Sequence, residues 1–144
     1  MRIGLAGVGR IGAFHASTLA ALEDVEQVVL ADAVPAQASR LAEQEGYEVA
    51  PDLDDLLSRV DGVVITTSTN AHASTLRAAL AAKVPAFCEK PVAATLAETL
   101  ELVDLVEATG VPVHVGSSAS STPAIGAPER PFSAGSWASS TRSA

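Results

Sequence analysis

Short apolar runs alternate with amphipathic stretches, and the alternation is regular up to residue 116. Residues 2–6 form a short apolar strand that runs straight into a glycine-rich turn. After the turn, Ile11, His15, Leu19 and Leu22 recur at the spacing of one helix face. Val25 to Ala31 (VEQVVLA) reads as a second strand, closed by Asp32. Pro35 suits the first turn of a helix that runs to about Gly46, because a missing N–H costs nothing there. YEVA at 47–50 is a short third strand, and Asp52 caps the helix LDDLLS. GVVITT (62–67) is apolar throughout with a polar end, the pattern of a parallel strand covered on both faces.

Asn70 is the expected cap of the next helix, in which Leu76 and Leu80 share a face. PAFCEK (85–90) is another strand. Thr95 and Glu98 form a capping box, and Leu96, Leu100 and Val103 are the expected buried stripe of the helix that follows. Gly110 stops that helix and PVHV (112–115) is the last strand. Strands alternating with helices predict an α/β domain with a doubly wound parallel sheet over residues 1–116. After Gly116 no apolar period survives. Residues 117–144 are rich in Ser, Ala, Pro and Gly and are expected to be disordered, because they bury too little surface to offset the entropy of ordering.

Composition narrows the chemistry. Apolar residues are 48% of the chain but aromatics only 3%, so the core must be built from Ala, Val, Leu and Ile. A formal net charge of −8 argues against nucleic acid or an anionic membrane surface as partner. The lone cysteine, Cys88, excludes an intrachain disulfide and reads as a core residue. Glycines interrupt the apolar start, so it makes a poor secretion signal, and no run approaches the ~20 apolar residues of a membrane span. A soluble cytoplasmic protein is the expectation.

Gly7-Val8-Gly9-Arg10-Ile11-Gly12 is a GxGxxG motif set between a strand and a helix. Gly7 permits the tight turn, Gly9 allows a pyrophosphate to approach the backbone, and Gly12 lets helix pack closely on strand. The phosphates would lie on free N–H groups at the helix start, where the dipole favours negative charge. The motif alone is weak. Asp32, about 20 residues on and at the end of the second strand, strengthens it, since its carboxylate is placed to accept hydrogen bonds from a ribose diol.

Other candidates are more ambiguous by residue type. Lys90, in Glu89-Lys90-Pro91 after the fifth strand, is either a solvated charge beside a turn proline or a group that polarises a substrate hydroxyl. His15 sits on an apolar stripe and reads as a packed, hydrogen-bonded side chain. His72 either faces the crevice or supports a helix start, and His114, inside a strand, reads as structural. The three histidines have no metal-ligand spacing.

Together, IGLAGVGRIGAFHASTL, the acid in VVLADA, DGVVITTSTNAHASTLRAAL and PAFCEKPVA resemble the Gfo/Idh/MocA oxidoreductases, and among them the inositol 2-dehydrogenases. The likeness covers most of residues 2–116, and its EKP signature is far more specific than the glycine motif. The resemblance implies a Rossmann domain that binds NAD, with Arg10 and Ile11 in the phosphate turn. It implies that Thr67, Ser68, Thr69, Asn70 and His72 lie along the cofactor and that Glu89 shapes the pocket. Lys90 becomes the catalytic candidate beside nicotinamide and substrate, the latter a polyol or sugar. Family members continue into a second domain that supplies the other wall of the site and is expected to be needed for any homo-oligomer. It is not found in this chain, which is therefore expected to be inactive alone.

Two other readings belong to different classes. One is a non-catalytic NAD-binding or sensing module. The other is a methyltransferase, but those usually carry an acid just before the glycines, where this chain has Leu5 and Ala6, and EKP has no place in them.

The break after Gly116 has a further expected origin, a shift of reading frame. Each residue largely sets the first two bases of its codon, and these become the last two of a codon in the neighbouring frame. With one T restored and G/C-rich third positions, the tail reads FQRLFDPGYRGARAPVQRGELGELYAVS. That is an amphipathic helix entering a strand, and it resembles the way the family continues.

Overall fold

The computed structural model describes residues 1–116. The expectations for 117–144, disorder and a shifted frame, lie outside the described residues. Six parallel strands form one sheet in the order β3-β2-β1-β4-β5-β6. They are β1 (Arg2–Ala6), β2 (Gln27–Ala31), β3 (Glu48–Val49), β4 (Gly62–Ile65), β5 (Ala86–Glu89) and β6 (Val113–Gly116). The helices between them are α1 (Arg10–Ala20), α2 (Pro35–Glu45), α3 (Leu53–Ser58), α4 (Thr69–Ala81) and α5 (Leu96–Thr109). The doubly wound reading of the sequence holds.

Both faces of the sheet's central strands are covered, which is why those strands are apolar almost throughout. Leu5, Val28, Leu30 and Val64 join Ala16 of α1 and Ala38 and Ala42 of α2 in one cluster. Their neighbours Ala6, Val29, Ala31, Val63 and Ile65 point to the other face, against Leu56 and Leu57 of α3 and Ala73, Leu76, Ala79 and Leu80 of α4. Adjacent residues of a strand point to opposite faces, so covering both leaves no polar position along it. With so few aromatics, alanines carry the contacts and let helices approach the sheet closely.

Local chemistry sets the element ends. Asp52 accepts the Asp55 N–H at 2.8 Å and starts α3 as expected. Pro35 stands in the first turn of α2, and Gly46 ends that helix in the left-handed region at φ 78°. Thr95 accepts the Glu98 N–H at 3.2 Å, while the Glu98 carboxylate accepts from Arg77 of α4 at 3.4 Å.

Three expectations need correction. β1 keeps its expected bounds, but β2, β3, β4 and β5 are each two residues shorter than the runs that marked them, and β6 is displaced by one residue. The N-cap of α4 is Ser68, not Asn70, which lies inside the helix. The buried stripe of α5 is the wrong one: Leu96, Leu100 and Val103 are 75%, 56% and 47% exposed, whereas Leu102 is 2% exposed and packs with Leu105 and Val106. This helix is apolar on more than one face, so its pattern admits two stripes. Packing on α4, reinforced where Arg77 meets Glu98 and Glu101, selects between them.

Between β1 and β4 the strand order reverses. In open parallel sheets of this kind a crevice opens at that point, beyond the carboxyl ends of the strands.

Candidate functional site at the carboxyl edge of the sheet

The glycine turn joins β1 to α1 directly above the reversal. Gly7 adopts φ 93°, and a Cβ there would stand 2.6 Å from the Thr67 nitrogen. Only glycine takes that conformation without strain and fits that gap. A Cβ on Gly12 would run into the Gly7 carbonyl and approach Thr66 Oγ1 to 2.9 Å. Gly9 is different, since a Cβ there meets no protein atom within 4 Å. Gly7 and Gly12 are thus required by the protein's own packing, while the space over Gly9 is open, as the approach of a pyrophosphate requires.

Gly9 is also the N-cap of α1 and offers no side chain to the helix start. The first N–H groups of α1, from Arg10, Ile11 and Gly12, have no acceptor within the helix and carry the positive end of its dipole. Arg10 and Ile11 are exposed beside them. The residues present therefore fit a dinucleotide phosphate.

Asp32 does more than wait for a ribose. Its Oδ2 accepts the Val8 N–H and its Oδ1 the Val34 N–H, each at 2.8 Å. A carboxylate has about four acceptor positions, so two remain for a diol. The turn is held from the other side by Thr66, whose hydroxyl donates to the Gly7 carbonyl at 2.6 Å. Thr66 went unnoticed in the sequence, although the polar end of an otherwise apolar strand was the available signal.

Thr67 and Ser68 follow β4, and Thr69 and Asn70 open α4, so all four stand at the same edge of the sheet. Ser68 and Asn70 are exposed there. His72 is not exposed. It is 3% accessible, with Nδ1 2.6 Å from the Pro91 carbonyl and Nε2 2.9 Å from that of Thr67. Of the two roles open to it, the contact with Thr67, just before α4, favours support of a helix start over a ring aimed into the crevice, and the same ring also holds the Pro91 loop. A ring with one N–H serves either carbonyl, and a protonated ring serves both.

Glu89 ends β5 and is 6% exposed. Its Oε1 lies 2.7 Å from His15 Nε2 of α1, and the His15 ring also meets the rings of Phe14 and Phe87. His15 is the packed, hydrogen-bonded residue its position on the stripe implied. The next side chain, Lys90, is exposed, and its N–H donates to the Gly116 carbonyl at 3.0 Å. His114, on β6, is exposed, and Cys88 is fully buried in the core. Burial, then the Glu89 charge, pushes the Cys88 thiol up to about 11.

The structure also forms an open hollow of about 640 Å³ lined by Asp54, Leu57, Asp61 and Lys83 among others. It lies at the amino ends of β4 and β5, away from the glycine turn. No helix among the described residues is long and apolar enough to cross a membrane.

Comparison with known proteins agrees with this geometry. The chain is 40% identical over 118 residues to the myo-inositol dehydrogenase Hyg17 of Streptomyces leeuwenhoekii, covering 81% of this chain and 36% of that protein. Among solved structures it superposes on scyllo-inositol dehydrogenase from Lactobacillus casei with bound NAD(H) and scyllo-inositol, with a TM-score of 0.74 at 25% identity over 81% of this chain and 36% of that one. It also superposes on UDP-N-acetylglucosamine 3-dehydrogenase GnnA from Acidithiobacillus ferrooxidans, with a TM-score of 0.73 at 31% identity over 81% and 38% of the two chains. The chain thus spans about a third of the length of the relatives it matches. With the model described as the oxidoreductase family, NAD-binding Rossmann fold, matching residues 1–117, this chain belongs to the Gfo/Idh/MocA family and carries its NAD-binding domain.

Proposed function

We propose that these residues are the nucleotide half of an NAD-dependent oxidoreductase that acts on a hydroxyl of a polyol or sugar, with inositol the model substrate. The observation that carries this is convergence at one edge of the sheet. The glycine turn after β1, Asp32 after β2, residues 67–70 after β4 and Lys90 after β5 all lie at the carboxyl ends of adjacent strands. Relatives whose names specify inositol support the substrate class, and a sugar-nucleotide dehydrogenase among the structural neighbours marks how far the class extends.

Each group has an assigned task. The N–H groups at the start of α1 hold the two phosphates, and Asp32 takes the adenosine ribose hydroxyls. Residues 67–70 flank the middle of the dinucleotide. NAD, when bound, supplies the hydride acceptor. Lys90 lies beside the nicotinamide end, where its ammonium donates to the substrate hydroxyl and holds the oxygen in place. Removing the hydroxyl proton needs a base, and positioning the substrate needs a second wall. Both fall to the part of the relatives that these residues do not span.

The purified 144-residue chain should bind NAD and produce no NADH from myo-inositol or common sugars. A longer chain in the restored frame should turn over, and Lys90→Ala should abolish that activity. NADH formation by the short chain that disappears with Lys90→Ala would overturn the two-walled reading.

A further inference from the structure

We propose that His15 and His72 are positioning residues that brace the Glu89-Lys90-Pro91 turn from its two ends and so set where Lys90 stands. This rests on the reading of Lys90 as the residue beside nicotinamide. His15 comes from α1, the helix whose N-terminus receives the phosphates, and holds the Glu89 carboxylate at 2.7 Å. His72 comes from α4 and lies 2.6 Å from the Pro91 carbonyl and 2.9 Å from the Thr67 carbonyl. Lys90 lies between the two braced residues, and its own N–H is held by Gly116 at 3.0 Å. Its side chain is exposed, so the main chain is what determines its origin.

A lysine ammonium on four flexible carbons is a poor positioning device unless its backbone is fixed. Glu89 and His72, polar groups almost fully buried next to the crevice, supply that fixity. The arrangement also joins three ligand-facing segments. Through His15 the phosphate helix is tied to the lysine turn, and through His72 that turn is tied to the end of β4.

The test is calorimetric titration of the full chain with NAD and with ADP, which has the adenosine and both phosphates but lacks the second ribose and nicotinamide. His15→Ala and His72→Ala should each weaken NAD by about tenfold, the equivalent of one hydrogen bond lost between the displaced Lys90 turn and the nicotinamide half, and leave ADP within about twofold. His15→Gln, which keeps a donor for Glu89, should recover most of the loss. Amide exchange at Glu89 and Lys90, measured without nucleotide, should accelerate in both alanine variants. If His72→Ala does not fold, His15→Ala with its Gln rescue decides.

NAD and ADP weakened by the same factor, unchanged NAD affinity, or unchanged exchange at Glu89 and Lys90 would each overturn the brace. Failure of the wild-type chain to bind ADP or NAD would instead defeat the assignment of the nucleotide site. The exchange measurement would then still decide the brace.

Discussion

Asp32 accepts the Val8 N–H at 2.8 Å, which joins the acid at the end of β2 to the glycine turn after β1. The residue expected to choose the nucleotide also shapes the loop that holds it. Asp32→Ala should therefore act twice. Loss of acceptors for Val8 and Val34 should destabilise the domain by about 1–3 kcal/mol, read from urea unfolding. The wild type should bind NAD at least tenfold more tightly than NADP, because a carboxylate repels a 2′-phosphate, and the variant should lose most of that preference. Equal binding of the two nucleotides by the wild type would refute the assignment.

Gly9 and Gly12 should separate under the same substitution. Gly12→Ala drives a Cβ into the Gly7 carbonyl and Thr66, so unfolding should become easier by about 1–3 kcal/mol. At Gly9, where φ is −61° and nothing lies within 4 Å, alanine should change stability by no more than about 0.5 kcal/mol. NAD affinity should nevertheless fall at least tenfold, because the methyl occupies the space of the pyrophosphate. Paired unfolding and titration curves distinguish the two sites. Unimpaired NAD binding by Gly9→Ala would remove the phosphate from that turn.

Cys88 gives the domain a limit at high pH. Its thiol titrates at about 11 in the folded chain, raised by burial and then by Glu89, against 9.0 unperturbed. A raised value means that the folded state keeps a proton that the unfolded state releases. The stabilisation is complete below about pH 9 and drains away as pH rises towards 11. The loss over that window amounts to about 2 kcal/mol. Unfolding of the wild type and of Cys88→Ala from pH 8 to 11 should converge by that amount, and a thiol reagent at pH 8 should label the chain only after denaturation. Rapid labelling of the native chain would contradict the buried placement.

The composition break after Gly116 makes a prediction about DNA. Resequencing the locus should reveal one missing base near codon 116 and a long open frame that continues with the family-like segment. A locus that cannot encode FQRLFDPGYRGARAPVQRGELGELYAVS in the neighbouring frame would show the tail to be native.

The α/β order, the strand cores and the glycine turn were legible because each rests on local rules. Strands covered on both faces must be apolar at every position, as in Gly62–Ile65. Asp52, Pro35, Gly46 and Gly110 mark helix ends through chemistry confined to a few neighbouring residues. Gly7, Gly9 and Gly12 announced a turn by spacing alone, and Asp32 was placed by its distance from them along the chain.

Only the tertiary structure could decide which side chains meet across that distance. Nothing in the sequence relates His15 to Glu89, 74 residues away, or His72 to Pro91, because their contact depends on how α1, α4 and β5 are stacked around one sheet. The same holds for α5, whose pattern allowed two stripes until α4 selected Leu102 over Leu96, Leu100 and Val103. Sequence periodicity records which residues share a face of their own element. Which face is buried, and which polar groups are paired there, is settled by the neighbours that packing brings to it.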